Sequence, residues 1–217
     1  MASPSSSARP VPRLYLAAHA GTEVASLAET LAGLLPSADV AAVLMRFAPA
    51  DDRTLISRIK ALAPAIQNAG AAFILDSHSE LVARGGADGA HLIGLAALTA
   101  ALPELRPERI AGAGGLHTRH DAMVASESGA DYVLFGEPDE TGQRPAVDAI
   151  AERIGWWAEL FEPPCVAYAA TLAELHTFAA AGADFLLLDE AVWNDPRGPR
   201  AALAEASGII AGMTHAS

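Results

Sequence analysis

Residues 112–136 read GAGGLHTRHDAMVASESGADYVLFG, and the fold is decided here. The stretch spells the end of one buried strand, a turn carrying His117, a helix, and a second buried strand that stops at Gly136. In a parallel α/β fold, chemistry collects at the carboxyl ends of strands, and glycines there let the backbone approach a ligand. The second half of the stretch recurs. Gly86-Ala87-Asp88 precedes the apolar run 89–92, Gly129-Ala130-Asp131 precedes 132–135, and Gly182-Ala183-Asp184 precedes 185–188. Each copy ends a helix at Gly, turns at Asp and enters a strand. The copies are spaced at about twice the length of one strand-plus-helix unit, so they mark every second strand of a repeated pattern.

The same alternation extends outward in both directions. Apolar runs at 14–18, 40–47, 71–75, 89–92, 109–113, 132–135, 165–168 and 185–188 predict strands buried on both faces, as in a parallel sheet covered by helices. Between them lie helical segments. The first, 23–35, places Val24, Leu27, Leu31 and Leu34 on one face and is stopped by Pro36. The second is opened by Asp51 and Asp52 and stopped at Asn68-Ala69-Gly70. A short helix and then 95–105, 119–128, 146–161, 172–181 and 199–207 follow. Eight strands alternating with eight helices, without a long insertion, predict one (β/α)8 TIM barrel over residues 13–217 rather than an open doubly wound sheet. Residues 1–12, rich in Ser, Pro and Ala, are expected to be a disordered tail.

Composition agrees with this and excludes several classes of function. With 217 residues, 52% of them hydrophobic, the chain can bury one large core without metal or disulfides. The single cysteine, Cys165, lies in an apolar run and predicts a buried thiol in a reducing, cytoplasmic compartment. A formal charge of −12 with scattered Lys and Arg argues against nucleic acid, and requires any anionic substrate to be held by local donors. No apolar run reaches the roughly 18 residues of a membrane helix, so no membrane partner is expected. Trp156 and Trp157 either pack internally or meet a second subunit, which leaves a homodimer open.

Six side chains fall at or just beyond strand carboxyl ends: Arg46, Asp76, His117, Thr141, Arg144 and Glu190. They are expected to converge at the barrel mouth around a small molecule. His117 is the candidate proton carrier, because imidazole titrates near neutral pH, and Asp76 or Glu190 is expected to fix its tautomer. Each has a structural alternative. His117 fits a turn histidine bonded to backbone, Arg46 and Arg144 fit balancing charges, and Asp189 and Glu190 fit helix N-caps. His19, His78 and His91 match no metal-ligand spacing, so no metal ligand is assigned.

The ordered set Leu14-Tyr15-Leu16, residues 86–92, the glycine turn ending at His117, and residues 129–136 resembles the thiamine phosphate synthase family and its relative, the thiazole tautomerase. The resemblance implies a (β/α)8 barrel. The synthase joins a pyrimidine diphosphate to a thiazole phosphate with Mg2+, while the tautomerase moves protons on the thiazole phosphate with a histidine at the fifth strand's end. Carried across, Arg46, His117 and Thr141 match family positions and Arg144 replaces a lysine, which keeps the charge and adds a fork for phosphate oxygens. Asp76-Ser77 stands where the family has Asn-Asp, and Ala96 replaces a second metal-binding aspartate. Leu44, Ala48, Gly115 and Gln143 replace a glutamine, a lysine, a serine and a threonine. Ala169-Ala170 replaces a phosphate-gripping Gly-Gly, and Glu190 a serine, beside Asp189. Two such carboxylates would each repel a phosphate by about 1–4 kcal/mol at about 4 Å. The resemblance therefore implies Mg2+ as cofactor while its ligand positions are altered here. It leaves three readings open: a synthase with weak or lost activity, a tautomerase-like enzyme using His117, and a noncatalytic binding or regulatory paralogue.

Overall fold

A computed structural model describes residues 10–139 and 141–214. The expected tail, 1–12, lies largely outside them. In chain order the elements are β1 (Arg13–Ala20), α1 (Val24–Leu34), β2 (Val40–Phe47), α2 (Asp52–Gln67), β3 (Ala72–Asp76), α3 (Val82–Gly85), β4 (Gly89–Ile93), α4 (Leu95–Leu105), β5 (Ile110–Gly114), α5 (Arg119–Ser128), β6 (Tyr132–Phe135), α6 (Val147–Leu160), β7 (Cys165–Ala169), α7 (Glu174–Ala181), β8 (Phe185–Leu188), α8 (Glu190–Trp193) and α9 (Pro199–Thr214). All eight strands are parallel and close in sequence order, with β1 pairing both β2 and β8. This is a (β/α)8 barrel, as the alternation predicts.

The Gly-Ala-Asp repeat is a tie between neighbouring strands. Gly86, Gly129 and Gly182 end α3, α5 and α7 in the left-handed conformation that glycine adopts without strain. The aspartate two residues on reaches back to the preceding strand. Asp88 Oδ2 accepts the Phe73 N–H at 2.7 Å, Asp131 Oδ2 that of Ala111 at 2.7 Å, and Asp184 Oδ2 that of Cys165 at 2.8 Å. Each carboxylate thus satisfies a backbone donor at the strand's open lower end and pins the register of the pair.

Strand side chains then divide by period two. One set, including Leu14, Leu16, Val43, Met45, Phe73 and Val133, packs outward against the helices. The other fills the barrel: Tyr15, Ala17, Leu44, Ile74, Tyr132, Leu134, Val166, Tyr168 and Leu187. β5 has glycine at 112 and 114, and the Tyr132 ring crosses to fill the space beside Gly112, where any Cβ would collide with it.

Four expectations are corrected. β1 continues through His19 to Ala20 because β2 is equally long, and the two stay paired as far as His19↔Arg46 and Ala20↔Phe47. The last helix runs to Thr214 instead of stopping near 207: Gly208 and Gly212 weaken the helical signal, yet burial of Ala206 and Ile210 holds it. α7 begins at Glu174, after a turn, and α8 is an additional helical turn directly after β8. Of the tryptophans, Trp157 is fully buried and donates to the Pro163 carbonyl at 2.7 Å, while half-buried Trp156 lies under the Arg119 guanidinium. No helix among the described residues is long and apolar enough to cross a membrane.

Candidate active site at the barrel mouth

Because successive inward positions climb each strand, the sequence itself stacks apolar residues below and polar ones above. Tyr15 and Ala17 lead to His19 on β1, Leu44 to Arg46 on β2, Ile74 to Asp76 on β3, and Leu187 to Asp189 just past β8. The Arg46 guanidinium is the hub. Its Nε donates to Asp76 Oδ2 at 2.9 Å, its Nη1 donates to Asp189 Oδ2 in a short bond, and its Nη2 lies 3.6 Å from Glu137 Oε1. His19 Nε2 meets the same Asp189 carboxylate at 3.0 and 3.2 Å.

The electrostatics follow from this sharing. Burial would raise the Asp189 pKa, but His19 and Arg46 outweigh it and hold the carboxyl below its usual range. The hydrogen bond to Asp189 raises the His19 pKa. Burial would lower that of Arg46, but its carboxylate partners keep it raised. An ionised Asp189 only accepts, so Nε2 of His19 carries the hydrogen and Nδ1 is the basic nitrogen of the neutral ring.

Beneath the hub runs a chain of polar contacts. Glu137 Oε2 lies 3.4 Å from His91 Nε2, His91 Nδ1 is 3.1 Å from the Tyr132 hydroxyl, and that hydroxyl is 3.0 Å from the Tyr15 hydroxyl. His91 is completely buried and stacks on Tyr132, with ring centroids 5.7 Å apart. Burial pushes both tyrosine pKa values up, so both phenols are neutral at ordinary pH. Gly114 makes room for the chain, because a Cβ there would collide with Glu137 and His91.

All six side chains expected at the mouth line one cavity of about 1160 Å3, together with His19, Glu137, Tyr168 and Asp189. Only Arg46 and Asp76 bond to each other. His117 is held by its backbone: Arg153 donates to the Leu116 and His117 carbonyls at 2.9 and 3.0 Å, and a Thr118–Asp121 capping box follows immediately. Its ring is exposed. Neither Asp76 nor Glu190 hydrogen-bonds to it, which corrects the expected tautomer partner: Asp76 is taken by Arg46, and exposed Glu190 points from the start of α8. Asp189 precedes α8 without a side-chain capping bond, its carboxylate being drawn to Arg46 and His19. His78 pairs with Glu80 at 3.5 Å, while His19 and His91 take different carboxylates, so the three histidines form no cluster.

On the far side of the mouth, Thr141 and Arg144 are also engaged. Asp139 Oδ1 accepts the Thr141 N–H at 2.8 Å, the Thr141 hydroxyl at 2.6 Å and the Gln143 N–H at 3.0 Å. Arg144 donates to Glu174 at 2.9 Å and to the Tyr168 carbonyl at 3.1 Å, and Glu174 also accepts the Ala170 N–H at 3.0 Å. Glu137, His91, Glu174 and the two tyrosines carry site geometry that strand-end spacing does not reveal. Counting inward positions by twos from Tyr15 and Leu187 would have found His19 and Asp189.

A hard divalent cation requires several oxygen ligands at close range. At the position the resemblance assigns to Mg2+, Asp76 is held by Arg46, the Ser77 hydroxyl donates to Asp76 Oδ1 at 3.1 Å, and the Ala96 side chain has no ligand atom. These residues do not fit the ion. Among the described residues, no group of three His, Cys, Asp or Glu is placed to hold a metal.

A closed (β/α)8 barrel whose charged inward-facing residues gather at its carboxyl-terminal mouth around one cavity defines the class. Within that class, the family described as thiamine monophosphate synthase matches residues 14–192, and the chain belongs to it. A thiamine-phosphate synthase from Rhodospirillum centenum is 38% identical over 208 residues, covering 92% of this chain and 98% of the relative. One from Hyphomonas neptunium is 34% identical over 203 residues, covering 90% and 92%. The structure of thiamine phosphate pyrophosphorylase from Pyrococcus furiosus superposes with a TM-score of 0.75 at 22% identity over 92% of this chain and 96% of that one, a likeness of fold.

Proposed function

We propose that this chain is a cytoplasmic thiamine phosphate synthase-family protein of thiamine biosynthesis. It binds a small heterocycle at the barrel mouth, with its own coupling activity weak or lost. Near-full-length similarity to the curated synthases supports the pathway. The observation that carries the loss of coupling is Arg46: its guanidinium is shared by Asp76 and Asp189 instead of being open to a diphosphate, beside a Ser77–Ala96 pair unsuited to Mg2+. Arg46, Asp76, Thr141, Arg144 and Glu190 are the proposed substrate-binding residues. The test is steady-state coupling of pyrimidine diphosphate and thiazole phosphate with Mg2+. The expected turnover lies far below the roughly 1 s⁻¹ of an ordinary enzyme, and reaching that rate overturns the reading.

A second reading, a tautomerase-like proton transfer, is favoured by the two imidazoles at the mouth. His117 is open to the cavity on a fixed turn, and His19 has its tautomer set by Asp189. His117 is the proposed proton carrier. In a solvent-proton exchange assay on a thiazole substrate, His117→Asn is expected to slow exchange by about 10²-fold. An unchanged rate removes His117 from this role.

A further inference from the structure

Three sets of anion-binding donors reach the mouth through Arg46, through Thr141 and Gln143, and through Arg144, which line its cavity, and a carboxylate of this chain fills each. Arg46 holds Asp76 and Asp189. The Thr141 and Gln143 donors hold Asp139. Arg144 and the Ala170 N–H converge on the single Glu174 carboxylate at 2.9 and 3.0 Å. The third set is the most self-contained, for both partners are mostly buried, with side chains 16% and 14% exposed. A guanidinium and a backbone N–H aimed at one point is the donor geometry that recognises a phosphate. Here an internal acid takes that point and cancels the charge. The remaining mouth cation, Arg153, spends both terminal nitrogens on the Leu116 and His117 carbonyls.

We propose that Glu174 determines specificity by acting as a built-in phosphate substitute, so that the mouth accepts an uncharged or cationic heterocycle lacking a phosphate. The inference deepens the thiamine-pathway reading and rests on it only for the choice of heterocycle. Any phosphate reaching Arg144 must displace Glu174 or sit against it, and like charges repel strongly in a partly buried site. An alcohol leaves the pair intact and gains the carboxylate as an acceptor.

The test is calorimetric titration of the full chain, using inorganic phosphate, a hydroxyethylthiazole and the phosphate ester of that thiazole. The native chain is expected to bind the alcohol more tightly than its ester and to show no phosphate binding at millimolar concentration. Glu174→Ala should gain affinity for inorganic phosphate and for the ester by about tenfold or more. Glu174→Gln, which keeps the acceptor oxygen without the charge, should gain less, and it substitutes for the alanine variant if that fails to fold. Tighter binding of the ester by the native chain, or no gain of phosphate affinity in either folded variant, overturns the proposal while leaving family membership untouched. If neither thiazole form binds but Glu174→Ala still gains phosphate, the Glu174 assignment is supported and the thiazole ligand of the proposed function is rejected.

Discussion

Arg46 and Arg144 occupy opposite sides of one mouth, and both are neutralised, yet by different architecture. Arg46 stands on β2 and is held by residues of β3 and the end of β8, with His19 of β1 bracing Asp189 from the other side. Its partners are part of the barrel wall, fixed by strand register. Arg144 comes from the loop after β6 and is held by Glu174, the first residue of α7. The first network has several carboxylates per cation; the second is one to one. The first depends on its one guanidinium, because removing Arg46 leaves three carboxylates without their shared cation. The second can be undone by one substitution without touching the sheet.

The largest effect should come from Arg46→Met. It leaves Asp76, Asp189 and Glu137 together without their cation, and a loss of about 2–4 kcal/mol is expected in urea unfolding at pH 7. The loss should shrink in acid as Asp189, which Arg46 helps to hold below its usual range, protonates, and a loss under about 1 kcal/mol at pH 7 would break the comparison. Arg144→Met should cost less, about 1–2 kcal/mol, since it strands one carboxylate that can turn toward the cavity. If Arg144→Met matches Arg46→Met, the two sides are equivalent and the distinction fails.

The smallest effect should come from His19→Asn, because that side chain is 58% exposed and screened. A raised His19 pKa adds stability that is complete below its unfolded value near 6.5 and is lost as pH rises through the folded value. A depressed Asp189 pKa adds stability present above its ordinary 3.8 and lost as pH falls through its folded value. The pair therefore helps most between about pH 4 and 6.5. Melting temperature measured from pH 6 to 8 should fall slightly for the native chain and be flatter for His19→Asn, a difference under about 1 kcal/mol. Equal slopes would remove His19 from the ionic hub.

The fold was legible because its signal is local. Glycine at a helix end, aspartate at the turn and a short apolar run each follow from backbone chemistry within a few residues, and three copies, each about two strand-plus-helix units from the next, leave few architectures open. Strand-end position likewise placed Arg46, Asp76, His117, Thr141, Arg144 and Glu190 around one cavity. Their partners were not legible, since Asp189 reaches Arg46, and Glu137 reaches His91, across a closed sheet whose register only the folded chain displays. Glu174 was hidden for another reason: as the first residue of a helix it reads as ordinary favourable charge. His19 was hidden because β1 was expected to stop before it.

The crossing of the Tyr132 ring beside Gly112 has a consequence for how this barrel can change. With Tyr132 present, even a methyl group on residue 112 has nowhere to go. With Tyr132 shortened, the gap beside Gly112 lies open, and the Tyr15 hydroxyl and His91 Nδ1 lose the phenol they share. Neither position can drift alone without passing through a damaged intermediate. The two residues face one another as register partners on β5 and β6, so a side chain at 112 requires a smaller one at 132.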